Sequence, residues 1–195
     1  QGSGAIAVIR LSGAHAIEVV DKIFFSKKNL ENLTSQSVVF GTIKKEGEIV
    51  DEVLISVFRN PKSYTGEDTV EISCHGSPYI IKTILELLVQ NNVRMAQPGE
   101  FTQRAFMNGK LDLAQAEAVA DLIASESKAS HSIALHQMRG GVSNELATLR
   151  ESLINFTALI ELELDFGEED VEFANREELS SLVQNLEVKI QNLIE

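Results

Sequence analysis

Three charged side chains stand where their neighbours in sequence are apolar or turn-forming. Arg10 follows the run Ala5-Ile6-Ala7-Val8-Ile9, Glu71 lies between Val70 and Ile72, and Lys110 follows Asn108-Gly109. A carboxylate accepts paired hydrogen bonds from the N–H edge of an amino-substituted ring, while Arg and Lys bind carboxylates. Together the three suit a pocket for a planar, polar ligand carrying both donors and carboxylates. A second reading stays open on pattern alone. In it Arg10 and Glu71 pair across strands, because a buried charge wants a partner, and Lys110 is a solvated loop lysine.

Other chemistries are disfavoured. Cys74-His75-Gly76 sets a thiol beside a base, but adjacent strand residues point to opposite faces and do not easily share one proton. A half-buried structural Cys fits better. The histidines His15, His75, His131 and His136 include no i,i+4 pair and no accompanying cysteine pair, which argues against zinc. No glycine-rich loop ends in Gly-Lys-Ser/Thr, so nucleotide binding by that route is excluded. No catalytic residue and no metal ligand is expected in this stretch of chain.

The elements that position the three charges follow from local signals. Gln97 to Ile123 reads as two helices meeting at a hinge. Pro98 and Glu100 suit the start of the first, and Asn108-Gly109 suits its stop. Asp112 with Gln115 resembles a capping box opening the second. Leu113, Ala116, Val119, Ala120 and Ile123 form an apolar stripe there, with Glu117 and Asp121 turned away. Lys110 sits at the hinge. Earlier in the chain, Ala5–Ile9 has the continuous apolar character of a buried strand. A short helix carries Ile17 and Val20. Val38–Lys45 and Ile49–Phe58 form a hairpin through Glu46-Gly47-Glu48, and residues 60–68 are a polar loop. Thr69–Ser73 is a strand, Ser77-Pro78 starts a helix, and Val93–Ala96 is a short last strand. Mixed strands and helices with a hairpin argue α+β.

The remainder is all-α. Leu135, Met138, Val142, Leu146, Leu149, Leu153, Phe156 and Ile160 keep one phase across Gly140-Gly141, which predicts a single long helix weakened there. An acidic linker over 165–174 and a last helix capped by Asn175 follow. Such stripes need partner helices, as in an incomplete bundle.

Composition agrees with a soluble globular chain of 195 residues, 44% apolar and 24% charged. No apolar run approaches the ~20 residues of a membrane span. Residues 1–110 hold 12 Lys/Arg and 12 Asp/Glu, whereas residues 111–195 hold 5 and 17, which accounts for the whole net charge of -12. The acidic part is therefore a poor nucleic-acid surface by itself. The break places a domain boundary between 110 and 111. Lone Cys74 rules out an internal disulfide and fits a reducing compartment. An abrupt start without Met reads as a trimmed fragment.

TGEDTVEISCHGSP at 65–78 and PGEFTQRAFMNGKLDLAQAEAVADLI at 98–123 closely resemble the tRNA modification GTPase MnmE (TrmE) family. The opening GSGAIAVIRLSG and LDFGEEDVEF at 164–173 extend the resemblance over essentially the whole chain. It implies that the family's first strand lies before Gln1. The GTPase domain and the C-terminal helices with their cysteine motif would lie after Glu195.

The resemblance also implies function. The family's N-terminal domain is similar to the tetrahydrofolate-binding domain of aminomethyltransferases, forms a homodimer, and binds 5-formyl- or 5,10-methylene-tetrahydrofolate. Its carbon is thought to become the methylene on C5 of the wobble uridine of tRNA. The reaction needs the flavoprotein MnmG and, in the whole protein, GTP, Mg²⁺ and K⁺. By motif, Arg10, Glu71 and Lys110 are the folate ligands, in a cytoplasmic protein with no membrane contact. A structural dimerisation or scaffold module without a ligand is the alternative.

Overall fold

The computed structural model describes residues 4–165 and 176–194. Most of the expected acidic linker, the Asn175 cap and most of the 164–173 motif fall outside these residues. The chain divides into two compact units, Gln1–Ala116 and Glu117–Glu195.

In the first unit five strands, β1 (Ile6–Ser12), β2 (Phe24–Phe25), β3 (Ser37–Lys45), β4 (Glu48–Phe58) and β5 (Thr69–His75), form one antiparallel sheet in the order β1-β5-β4-β3-β2. Period-two alternation fixes which face each residue takes. Along β4, Asp51, Val53, Ile55 and Val57 are buried while Glu52 and Leu54 are exposed. The β3–β4 hairpin turns through Glu46-Gly47, both at positive φ, the backbone a two-residue turn requires. Helices α1 (Ala16–Ile23) and α2 (Pro78–Gln90) pack on the inner face, where Val20, Ile43, Ile55, Ile72 and Ile84 are fully buried. This is the expected α+β arrangement, followed by a helical region.

Three expectations about the elements change, two for strands and one for a helix start. β1 is not a buried strand, because it is an edge of the sheet and its outward side chains Ile6 and Val8 are 71% and 58% exposed. Val93–Ala96 forms no strand. The Val93 N–H is used to close α2, donating to the Leu88 carbonyl at 3.2 Å. Pro98 lies ahead of its helix rather than inside it, since α3 (Glu100–Met107) begins after Gly99.

The hinge forms as the sequence suggests. Gly109, at φ 67°, ends α3, and the Lys110 N–H donates back to the Ala105 carbonyl at 2.8 Å, a left-handed glycine stop. Helix α4 (Leu113–Ala124) opens with the reciprocal box, Asp112 N–H to Gln115 Oε1 at 2.9 Å and Gln115 N–H to Asp112 Oδ1 at 2.8 Å. The expected stripe is not the covered face: Leu113, Ala120 and Ile123 are exposed, and the buried residue of this helix is Ala118, which lies outside the stripe.

The second unit corrects the single-helix expectation. Helices α5 (Lys128–Met138) and α6 (Gly141–Asp165) are separate, and α7 (Arg176–Ile194) follows. Gly140 takes φ 80°, where an L-residue's Cβ is penalised. A Cβ on Gly141 would lie 2.2 Å from the His136 ring. The sequence spacing of apolar residues thus runs on across a real break, since one left-handed glycine ends a helix without altering the spacing of the residues on either side.

Candidate functional site

The β1–β5 register sets Arg10 directly opposite Glu71. Arg10 Nε donates to Glu71 Oε1 at 2.8 Å, and the same oxygen lies 2.6 Å from the guanidinium's NH2 nitrogen. The two side chains are 42% and 25% exposed. They form a pair, but on the outward face of the sheet rather than in the core.

Two aromatic rings complete this corner. The Arg10 guanidinium carbon lies over Tyr64, 5.8 Å from the ring centroid, and over Phe101 at 5.7 Å. Both distances fall within cation–π range. Tyr64 belongs to the 60–68 loop, which is fastened at several points. Asn60 N–H donates to Asp68, Ser12 Oγ meets Thr65 Oγ1 at 2.6 Å and donates to Glu67 at 2.8 Å, and Asn108 donates to the Thr65 carbonyl at 2.8 Å. Tyr64 OH itself meets Thr102 Oγ1 at 3.0 Å, tying the loop to α3, the helix that carries Phe101.

A charged lattice holds α3 in place. Glu100 is buried and accepts from Arg94, from the Gln97 N–H at 2.8 Å and from Arg104 at 2.8 Å. Arg104 continues to Glu67 at 3.1 Å. The Arg94 hydrogen bonds above all, then the Gln97 N–H and Arg104, hold the Glu100 carboxyl well below its usual range. Glu100 therefore does more than complement a helix end. It is an anion held between two arginines.

Lys110 lies against the same loop. Its ammonium donates to the Pro61 carbonyl at 3.1 Å. The structure thus brings Arg10 and Glu71 together, and places Lys110 against the loop that carries Tyr64 rather than on either of them.

A cavity of about 610 Å³ opens beside Arg10, lined by Arg10, Ser12, Arg94, Glu100, Phe101 and Arg104 among others but not by Glu71, Tyr64 or Lys110. A larger groove of about 1060 Å³ runs between β1 and α2, with Ile6, Ile81, Leu85, Val89 and Met95 on its walls. It is mostly hydrocarbon and holds none of the three charges. Cys74 is buried and its thiol is pushed up by burial, then by Asp51. His75 is exposed and its Nδ1 lies 2.7 Å from Asp51 Oδ1, whereas the Cys74 thiol donates to the Ala7 carbonyl at 3.6 Å.

Sequence reading missed Tyr64, Phe101, Glu67 and Arg104. The i,i+4 spacing of Glu100 and Arg104 was a readable signal for one ion pair. Nothing local announces that Tyr64 and Phe101 meet over Arg10, since long-range folding brings them together.

A mixed antiparallel α+β unit leading into a helical unit defines a protein of two dissimilar parts. Residues 1–110 match the family model described as GTP-binding protein TrmE N-terminus, and residues 113–195 match the MnmE helical domain. The chain belongs to this TrmE/MnmE family. It is 58% identical over 197 residues to the tRNA modification GTPase MnmE of Flavobacterium johnsoniae, covering 100% of this chain and 42% of that protein. The corresponding figures are 58% over 193 residues, 97% and 42% for Bacteroides fragilis, and 52% over 197 residues, 100% and 42% for Porphyromonas gingivalis. The chain thus spans about 42% of the length of these relatives.

Proposed function

We propose that residues 1–110 are a tetrahydrofolate-binding and dimerisation domain, similar in fold to that of aminomethyltransferases. Residues 111–195 would be the first part of a helical domain, within a cytoplasmic tRNA modification GTPase. The whole protein would act with MnmG to install a (carboxymethyl)aminomethyl group at C5 of the wobble uridine, using GTP, Mg²⁺ and K⁺ in its other parts. The folate would supply the one-carbon unit, as a 5-formyl or 5,10-methylene form.

The residues present fit that cofactor. Glu71 already accepts hydrogen bonds from a planar guanidinium, so its carboxylate suits the donor edge of a pterin. Tyr64 and Phe101 offer ring faces beside it. Arg10 and Lys110 would face the anionic side. The outward apolar side chains Ile6, Val8, Val38, Phe40 and Leu54 support self-association of the same domain, since patches of this kind mark interfaces.

The observation that carries the reading is the outward-facing Arg10–Glu71 pair under two aromatic rings. Calorimetric titration with 5-formyltetrahydrofolate tests it. Saturable binding that Glu71→Gln weakens is expected. No heat of binding with folded wild-type chain would leave the scaffold reading instead.

A further inference from the structure

Arg10 satisfies Glu71 in the way a ligand's ring edge would. A guanidinium is flat, carries N–H donors in one plane and stacks on aromatic faces. The amino-pyrimidinone edge of a pterin is a cyclic guanidine with the same features. In this structure two nitrogens of Arg10 lie 2.8 and 2.6 Å from Glu71 Oε1, and its guanidinium carbon lies over Tyr64 and Phe101. A heterocycle and Arg10 cannot occupy the same carboxylate oxygen and the same ring faces together.

We propose that Arg10 is a built-in plug of the Glu71 site, displaced when the ligand's ring enters. This rests on the folate reading of the site. The plug is light enough to move, because pairs this exposed are worth little. Displacement also has a use. Freed from Glu71, Arg10 needs a new anion, and a ligand with carboxylates beyond its ring supplies one. A bare ring offers none, so it must open the site without compensation. The exchange thereby selects for a ring joined to an acidic tail, and it disfavours planar cations and tail-less rings.

The test uses the full chain, with Arg10→Ala and Arg10→Met beside wild type, the second keeping most of the apolar stem. Each is titrated with 5-formyltetrahydrofolate and with a tetrahydropterin lacking the aminobenzoyl-glutamate tail. Melting temperatures confirm folding. A plug lowers apparent affinity by the fraction of molecules that are open. The tail-less pterin should therefore bind both variants about two- to tenfold tighter than wild type. The tailed folate should gain less, or lose, because Arg10 no longer reaches its carboxylates. Equal or weaker binding of the tail-less pterin to folded variants, undetectable binding included, overturns the plug. If wild type binds the tailed folate while that happens, the folate reading survives alone. If wild type binds neither, both fall.

Discussion

The two faces of the five-stranded sheet are built from alternate residues of the same strands, and they do opposite work. On β5 the inward residues Val70, Ile72 and Cys74 are 0–3% exposed, while Glu71 and His75 between and after them reach solvent. On β1 the inward Ile9 and Leu11 alternate with the outward Val8 and Arg10. A one-residue slip of register would exchange the faces and bury both charges. The core is therefore what holds the outward chemistry in place, and the two faces should respond differently to mutation.

The largest separation between them should come from the core. Ile72 is completely buried against the inner-face cluster. Truncation to Ala should cost about 2–5 kcal/mol of folding stability, as for other buried aliphatic side chains. Denaturant unfolding measures it. A loss below about 1 kcal/mol would mean that the inner face is far more plastic than close packing permits.

Next comes the lattice behind the site. Glu100 is held ionised by Arg94, the Gln97 N–H and Arg104. Its folded pKa is depressed, so its contribution to stability is fully present above the ordinary carboxylate range and is lost as pH falls through about 4.5 and below. Glu100→Gln should therefore melt below wild type near pH 7, and the gap should close as the solution is acidified. Melting curves from pH 7 to pH 3 that run parallel would show that Glu100 is not anchoring α3.

Glu71→Gln separates the faces most sharply in kind. A pair that is 42% and 25% exposed contributes at most about 1 kcal/mol to folding. Loss of a charged acceptor should instead cost on the order of 1.5–3 kcal/mol of folate affinity. Melting temperature and calorimetric affinity, read on one sample, decide. A large melting drop with unchanged affinity would move Glu71 from the site to the scaffold.

How far these faces can be read in sequence depends on the range of the interactions. Alternation along β4, the Glu46-Gly47 turn and the Asp112/Gln115 box depend on neighbours a few residues apart, and all are legible. The two candidate readings of Arg10 and Glu71 are not true alternatives. The residues pair as one reading holds, yet they face outward as the other requires, because β1 is an edge strand whose outward side chains Ile6 and Val8 stay exposed. Apolar content alone made β1 look buried. Gly140-Gly141 misleads for a related reason, since periodicity records the phase of side chains but not a break in the backbone that carries them. Tyr64 and Phe101 were invisible because only the closed sheet and the fastened loop bring them to Arg10.

The smallest effect on folding is expected from the outward apolar row. Val8, Leu54 and Phe40 lie in register across the sheet, with Ser73 between Val8 and Leu54, and Phe40 is 61% exposed. In a monomer Phe40→Ser should change stability by no more than about 0.5 kcal/mol, as for most surface substitutions. The reason is that little of that ring leaves water when the chain folds. If the same row is the contact with a second copy, the ring leaves water only on association, and its loss should appear there alone. Sedimentation equilibrium of Phe40→Ser and Val8→Ser at tens of micromolar should then shift toward monomer while melting of dilute samples stays put. Unchanged association would remove this face as the interface, even with the Arg10–Glu71 site intact. A melting loss above about 1 kcal/mol would show instead that the outward row is part of the fold's own core, and the contrast between the two faces would fail.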